Sequence, residues 1–297
     1  MTTGDARVVS GRAGLGTLLR AALPALPVVG GLPGVRKSGG PFEGLTVTRE
    51  PVTVERSHVE EYDAVCGFPV KDVAPLTYPH LLAFGLHMAI LTDPAFPAPA
   101  MGTVHLENSI TQARPIAIGE TVEVTTCVGP ANPHPRGTVF ELATSIYAAL
   151  RDGQSELAWS STSTYLRRGE GDEAASWGLE LPEASSGGTV WSLPADLGRR
   201  YAAVSGDYNP IHLYPLTAKA LGFDRQIAHG MWTLARCVAA LENRLPEAVR
   251  VEVAFKKPVF LPGRVAFGSR PLDDGYAFSL TRPGSDTVHL LGRTASR

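Results

Sequence analysis

The sequence predicts an α+β chain made of two copies of one unit, in which an antiparallel sheet curls around a single apolar helix. Three observations carry this expectation. The chain has 297 residues and 44% hydrophobic content, enough apolar material for two modest cores. Tyr62 to Gly67 (YDAVCG) is echoed by Tyr201 to Gly206 (YAAVSG), a repeat with a period of about 140 residues. After each copy comes one helix-length apolar run, Leu81–Leu91 and Met231–Leu241, and then several runs rich in β-branched and aromatic residues.

Taken in order, residues 1–45 read as a partly ordered arm. Its apolar stretch Leu15–Gly31 superficially resembles a signal peptide, but Arg20 interrupts it and Pro24 and Pro27 break any helix early. Residues 46–166 form the first repeat: a loop, the helix Leu81–Leu91, a strand within Val104–Gly119, and strands over Glu120–Val128, Thr138–Leu150 and Glu156–Leu166. Residues 167–190 are charged and small with no apolar period, and read as a linker. Residues 191–297 repeat the plan with the helix Met231–Leu241 and strands over Val249–Phe255, Arg264–Ser269, Tyr276–Thr281 and Val288–Arg293. Turn signals at Asp273-Asp274-Gly275 and Pro283-Gly284 separate the last of these. In the second helix Met231, Leu234, Ala235, Val238 and Leu241 form a stripe with Trp232 and Cys237 beyond it, so it must be buried on nearly every side. A sheet wrapped around a central helix is the hot-dog fold, and two copies make a double hot dog.

Composition excludes several classes of function. A net charge of −2 gives no basis for binding nucleic acid or anionic membranes. The run Leu81–Leu91 falls far short of the roughly 20 residues that span a bilayer. Cys66, Cys127 and Cys237 are scattered, which fits neither a disulfide framework nor a zinc site and suits a reducing, cytoplasmic compartment. The chain carries no G-x-S-x-G elbow, P-loop or strand-linked G-x-G-x-x-G, so serine hydrolysis and nucleotide chemistry are unsupported.

The stretch Tyr201–Gly230 holds the candidate chemistry. Asp207 and His212 stand five residues apart, with the turn signal Asn209-Pro210 between them. Such a turn can aim a carboxylate and an imidazole into one cavity for acid/base work near neutral pH. Two other readings fit the same residues: Asp207 as a turn cap beside a surface His212, or Asp207, His212 and His229 as metal ligands lacking a fourth at credible spacing.

A resemblance bears on that choice. Ser205 to His212 (SGDYNPIH), Ala218 to Phe223 and Ile227 to Gly230 (IAHG) match, over some 30 residues, the signature of MaoC-like (R)-specific enoyl-thioester hydratases and 3-hydroxyacyl-thioester dehydratases. The whole chain resembles actinobacterial double-hot-dog members of that family. The resemblance implies a lyase that reversibly dehydrates a (3R)-3-hydroxyacyl thioester to the trans-2-enoyl thioester. Asp207 and His212 would hold the water, and Asn209 would orient the loop and bond the pair. The thioester oxygen needs a donor, for which the Gly230 N–H at the helix start is the candidate, close packing alone being the other reading of that glycine. Ser205, Gly206, Ile227 and His229 would line the substrate site, with His229 shaping the loop. No metal or cofactor is implied, coenzyme A or phosphopantetheine entering only as part of the substrate.

The first repeat reads Phe68 to Val73 (FPVKDV) where the second reads Asp207 to His212, so one active site per chain is expected. The degenerate half could house the acyl chain, with Leu82, Phe84, Leu86 and Met88 around Gly85 lining a tunnel, or could be plain core. An anionic carrier, acyl-CoA or acyl carrier protein, suggests roles for Lys256, Lys257, Arg199 and Arg200, which ordinary solvated charge explains equally well. A hot-dog thioesterase and a non-catalytic acyl-binding subunit are the alternatives; monomer and homodimer are both compatible with the fold.

Overall fold

The computed structural model describes residues 7–9, 40–149, 154–184 and 188–297, so most of the expected N-terminal arm lies outside the described residues. In chain order the strands are β1 (Arg7–Val9), β2 (Thr46–Arg49), β3 (Val52–Thr53), β4 (Thr103–Gln112), β5 (Thr121–His134), β6 (Gly137–Ala149), β7 (Ser155–Arg168), β8 (Thr189–Leu193), β9 (Val249–Phe255), β10 (Gly263–Leu272), β11 (Gly275–Thr281) and β12 (Val288–Ser296). The helices are α1 (Arg56–Cys66), α2 (Pro79–Thr92), α3 (Leu197–Ser205), α4 (Pro215–Ala220) and α5 (Gly230–Leu241), with 3₁₀ turns at Pro210–His212 and Glu242–Arg244. Both expected apolar helices form, and each expected strand lies within an observed one or matches it to within a residue or two.

Two compact units divide the chain, and they cut across the repeats. One comprises residues 1–52, 80–106 and 121–177; the other comprises 53–79, 107–120 and 178–297. The sequence suggested contiguous halves. The difference arises because Glu107–Gln112 of β4 pairs antiparallel with β9, and because residues 53–79 carry α1, which packs with α3.

In the first unit the sheet order is β1-β2-β5-β6-β7, antiparallel except for the parallel pair β1–β2, with bulges after Val128 and Ile146. Helix α2 buries Ala83, Leu86, Ile90 and Leu91, as its uniformly apolar sequence requires. In the second unit β4, β9, β12, β11, β10 and β8 are consecutive antiparallel neighbours. Helix α5 buries Met231, Trp232, Thr233, Leu234, Ala235, Cys237, Val238 and Leu241.

Two corrections concern local structure. Segments expected as loop form α1 and α3, whose buried residues Val59, Tyr62, Asp63 and Cys66, and Leu197, Tyr201, Ala202 and Val204, follow a helical period. The expected linker is shorter and tethered: β7 runs to Arg168 and β8 starts at Thr189. Between them the Leu179 N–H donates to the Glu107 carboxylate at 2.7 Å, and Ser279 Oγ donates to the Ala184 carbonyl at 3.0 Å. No helix among the described residues is long and apolar enough to cross a membrane.

Candidate active site

Helix α3 delivers the loop that carries the candidate pair Asp207 and His212. It ends at Gly206, whose φ of +76° suits glycine and lets its N–H return to the Ala202 carbonyl. The chain then turns sharply. The Asp207 N–H donates to Ser205 Oγ at 3.2 Å, and Asp207 Oδ1 accepts the Asn209 N–H at 3.1 Å. Asn209 caps the 3₁₀ turn, its Oδ1 accepting from the Ile211 N–H at 3.4 Å. Its side chain therefore orients the turn, and its backbone bonds both members of the pair, the N–H to Asp207 Oδ1 and the carbonyl to the His212 N–H at 3.0 Å.

His212 closes that turn and is buried. Its Nδ1 lies 2.8 Å from the Ile227 carbonyl, an acceptor only, so Nδ1 carries the proton and Nε2 is left with a lone pair in the neutral ring. Burial holds this imidazole below the ordinary histidine range, against the opposing pull of the Asp207 carboxylate and the Ile227 carbonyl. The ring is thus neutral at pH 7 and able to accept a proton.

His229, the residue before α5, stacks on His212 with centroids 3.7 Å apart. Its Nε2 donates to the Asp207 carbonyl oxygen at 2.9 Å and lies 3.9 Å from Asp207 Oδ2. Burial, reinforced by His212 alongside, holds it well below the usual range. His229 therefore ties the loop to the helix start. Asp207, His212 and His229 each offer one atom within 4.8 Å of the others. Two stacked rings project their in-plane lone pairs in nearly parallel planes, 25° apart, rather than toward one tetrahedral centre, and no fourth ligand joins them among the described residues.

Gly230 is the first residue of α5, where the opening N–H groups have no carbonyl one turn back and the helix dipole is positive. A β-carbon there would press on the Phe255 ring at 3.3 Å, so glycine also serves close packing. Ile227 supplies the carbonyl that fixes His212, and its strand-like bridge to Phe260 sets the loop against the sheet.

The structure brings Ser205, Gly206, Asp207, Asn209, His212, Ile227, His229 and Gly230 together in the second unit. Other expected residues stand elsewhere. Lys256 and Lys257 are exposed, and Lys256 lines a groove with Leu179–Pro182, Arg270–Asp274, Leu291 and Arg293, a lining that includes neither Asp207 nor His212. Arg199 donates to the Leu213 carbonyl at 2.9 Å and caps the Tyr214 ring. Leu82 and Leu86 lie one turn apart and are buried, while Phe84 and Met88 occupy another face of α2 and are half-buried. Residues two apart on a helix diverge by about 200°, so these four do not line one wall.

Two supports had no sequence signal. A β-carbon at Gly198 would fall on the His212 carbonyl oxygen, so this glycine admits the catalytic turn against α3. His58, on α1 of the repeat without the pair, places Nε2 2.8 Å from the Val204 carbonyl and Nδ1 2.8 Å from the Tyr78 hydroxyl. The Trp232 indole of α5 donates to the Val65 carbonyl at 3.0 Å, and Tyr62 and Tyr201 meet at 6.3 Å. Helix α1 thus braces both sides of the catalytic loop.

Known proteins resemble this chain in sequence and in fold. The MaoC like domain model matches residues 189–270. Over 283 residues, 93% of this chain and 96% of its relative, the sequence is 37% identical to 3-hydroxyacyl-thioester dehydratase X of Mycobacterium tuberculosis. The crystal structure of HtdX from that organism superposes with a TM-score of 0.74 at 35% identity, covering 85% of this chain and 100% of the other. The (R)-specific enoyl-CoA hydratase of Aeromonas caviae is 36% identical over 69 residues, 22% of this chain and 52% of the relative. The 37% identity over nearly the whole of both chains, the matching domain model and the superposed structure place the chain in the MaoC-like family of 3-hydroxyacyl-thioester dehydratases and (R)-specific enoyl-thioester hydratases, in its double-hot-dog form.

Proposed function

We propose that the protein reversibly dehydrates a (3R)-3-hydroxyacyl thioester to the trans-2-enoyl thioester, in fatty-acid or related acyl metabolism. The observation that carries this reading is the tautomer of His212. With Nδ1–H donated to Ile227, the bare Nε2 faces the reaction beside Asp207.

In hydration, His212 Nε2 takes one proton from water as the water oxygen bonds C3, while the other O–H stays on that oxygen as the new 3-hydroxyl and donates a hydrogen bond to the Asp207 carboxylate. The double-bond electrons move through C2 toward the thioester oxygen, which the free N–H groups at the start of α5 stabilise. The proton then passes from His212 to C2 on the same face, restoring the neutral ring and giving syn addition. Dehydration runs these steps backward: His212 removes the 2-proton and returns it to the departing hydroxyl.

No metal or cofactor enters the scheme; activity should survive EDTA unchanged, and dependence on an added divalent ion would refute that part. The proposal places the enzyme in the cytoplasm on the strength of three unpaired cysteines, Cys66, Cys127 and Cys237. It is compatible with a monomer or a homodimer. The test is hydration of crotonyl-CoA in D₂O with chiral analysis of the product. A (3R)-3-hydroxyacyl-CoA with syn deuterium at C2 is expected. The (3S) product, or release of free thiol without hydration, would defeat the reading in favour of another hydratase class or a thioesterase.

A further inference from the structure

The surface that begins at the catalytic loop is unusually apolar. Four exposed large apolar side chains fall between residues 208 and 221: Tyr208 (40% exposed), Tyr214 (52%), Leu216 (79%) and Leu221 (37%). Single exposed leucines are unremarkable, but a cluster beside a reactive site marks a surface that a partner covers. The segment is held in place. Thr217 Oγ donates to the Pro210 carbonyl at 2.7 Å, the Phe223 N–H to the Ala218 carbonyl at 3.0 Å, and Arg199 to the Leu213 carbonyl at 2.9 Å. These bonds keep α4 ordered while Leu216 stands in water.

Cations outnumber exposed carboxylates around the cluster. Arg200, Lys219 and Arg225 are exposed and Arg199 stands over the Tyr214 ring at 4.9 Å, against the exposed carboxylates Asp196 and Asp224. The chain as a whole is net negative, at −2. An apolar centre with a cationic rim is the pattern of a protein interface facing an acidic partner. A nucleotide carrier would use the cations for its phosphates and would leave Tyr214 and Leu216 uncovered.

We propose that residues 208–225 are the docking surface for an acidic carrier protein bearing the acyl thioester. Its apolar strip covers Tyr214 and Leu216, and its carboxylates meet Arg200, Lys219 and Arg225. The inference rests on the dehydratase reading and names its carrier.

The test compares hydration of one trans-2-enoyl chain carried on acyl carrier protein and on coenzyme A, for wild type, Leu216→Asp and Lys219→Glu. The apparent KM for the carrier-protein thioester is expected to rise tenfold or more in each variant, while kcat and KM for the CoA thioester stay within twofold of wild type. Equal losses on both thioesters would overturn the proposal in favour of a nucleotide site or a structural role, and unchanged constants on both would remove it. Two further results would also overturn it: a dimer that becomes a monomer in Leu216→Asp, which marks an interface between copies, and lost binding to phosphatidylglycerol vesicles with KM unchanged, which marks a lipid surface. Wild-type hydration of both thioesters is read in the same assay. Its absence on both would defeat the dehydratase reading itself, an outcome distinct from a failed docking surface.

Discussion

The loops that follow Tyr62–Gly67 and Tyr201–Gly206 begin alike and part at one residue. Each follows a helix that ends on a glycine at positive φ, +81° at Gly67 and +76° at Gly206, with its N–H returned to the Asp63 or Ala202 carbonyl. After Gly206 come Asp207, the Asn209 cap and His212, buried and fixed by Ile227. After Gly67, Phe68 is buried and stacks on Tyr62 at 6.0 Å, Lys71 pairs with Glu242 at 2.8 Å, Asp72 pairs with Arg56 at 2.7 Å, and Val73 bridges to Ala117. Phe68 and Val73, which stand where the second loop has Asp207 and His212, pack and bridge instead of forming an acid/base pair. What the first loop retains is its helix, and α1 now braces the working loop through His58 and Val65. A duplicated element can lose its reactive groups and keep its backbone when that backbone supports the surviving copy.

The comparison can be broken most severely at Gly198. Any side chain there meets the His212 carbonyl, and a 1 Å displacement of a catalytic group costs about 10²-fold. Gly198→Ala should lower kcat/KM by that order; near-wild-type kinetics would show that His212 tolerates displacement. Restoring the missing residues tests the difference from the other side. Phe68→Asp with Val73→His, in an Asp207→Asn background, should yield no recovered hydration. It should also destabilise the fold by about 3 kcal/mol or more, because a buried aromatic becomes a buried carboxyl. Recovered activity would mean that the first loop is a dormant site.

The bracing role of α1 predicts a smaller effect. His58→Leu removes a hydrogen bond worth about 1 kcal/mol, or roughly fivefold in kcat if the lost support falls on the transition state. KM should stay unchanged, and His58→Gln should recover part of the loss; equal behaviour of the Leu and Gln variants would discount the bond. The least effect is expected at Asp63, which aligns with Ala202. Burial, with Glu242 and Glu60 nearby, raises its carboxyl to about 7. An unfolded aspartate titrates near 3.9, so the native state loses stability as pH rises from about 4 through about 7. Asp63→Ala should therefore raise the Tm by a few degrees at pH 8 and change it little at pH 4.5. A uniform shift at both pH values would contradict the linkage.

Much of this was legible in the residues. The apolar helices announce themselves because every face of α2 and most of α5 must be buried, and the turn chemistry of Asn209-Pro210 marks the loop that carries Asp207 and His212. Helices α1 and α3 were missed because their exposed faces are polar, although Val59, Tyr62, Asp63 and Cys66 keep the i, i+3, i+4, i+7 spacing that would have revealed α1. His58 could not be found from sequence, since its partner is a backbone carbonyl 146 positions away. Gly198 looks like any helix glycine until His212 is placed against it. The compact units were hidden for a related reason: the β4–β9 pairing that joins distant segments leaves no local pattern.

The central claim is that one site per chain, built on Asp207 and neutral His212, performs the chemistry. Its most direct test is the loss of enoyl absorbance on hydration of crotonyl-CoA by wild type, Asp207→Asn and His212→Gln, each checked for an unchanged Tm. General acid–base groups contribute about 10²–10⁴-fold, and each variant should lose at least that much. Wild-type kcat/KM should fall only as pH drops through a value below about 6.5, where His212 becomes charged. Activity within tenfold of wild type in either folded variant would contradict the account and place the chemistry elsewhere in the chain.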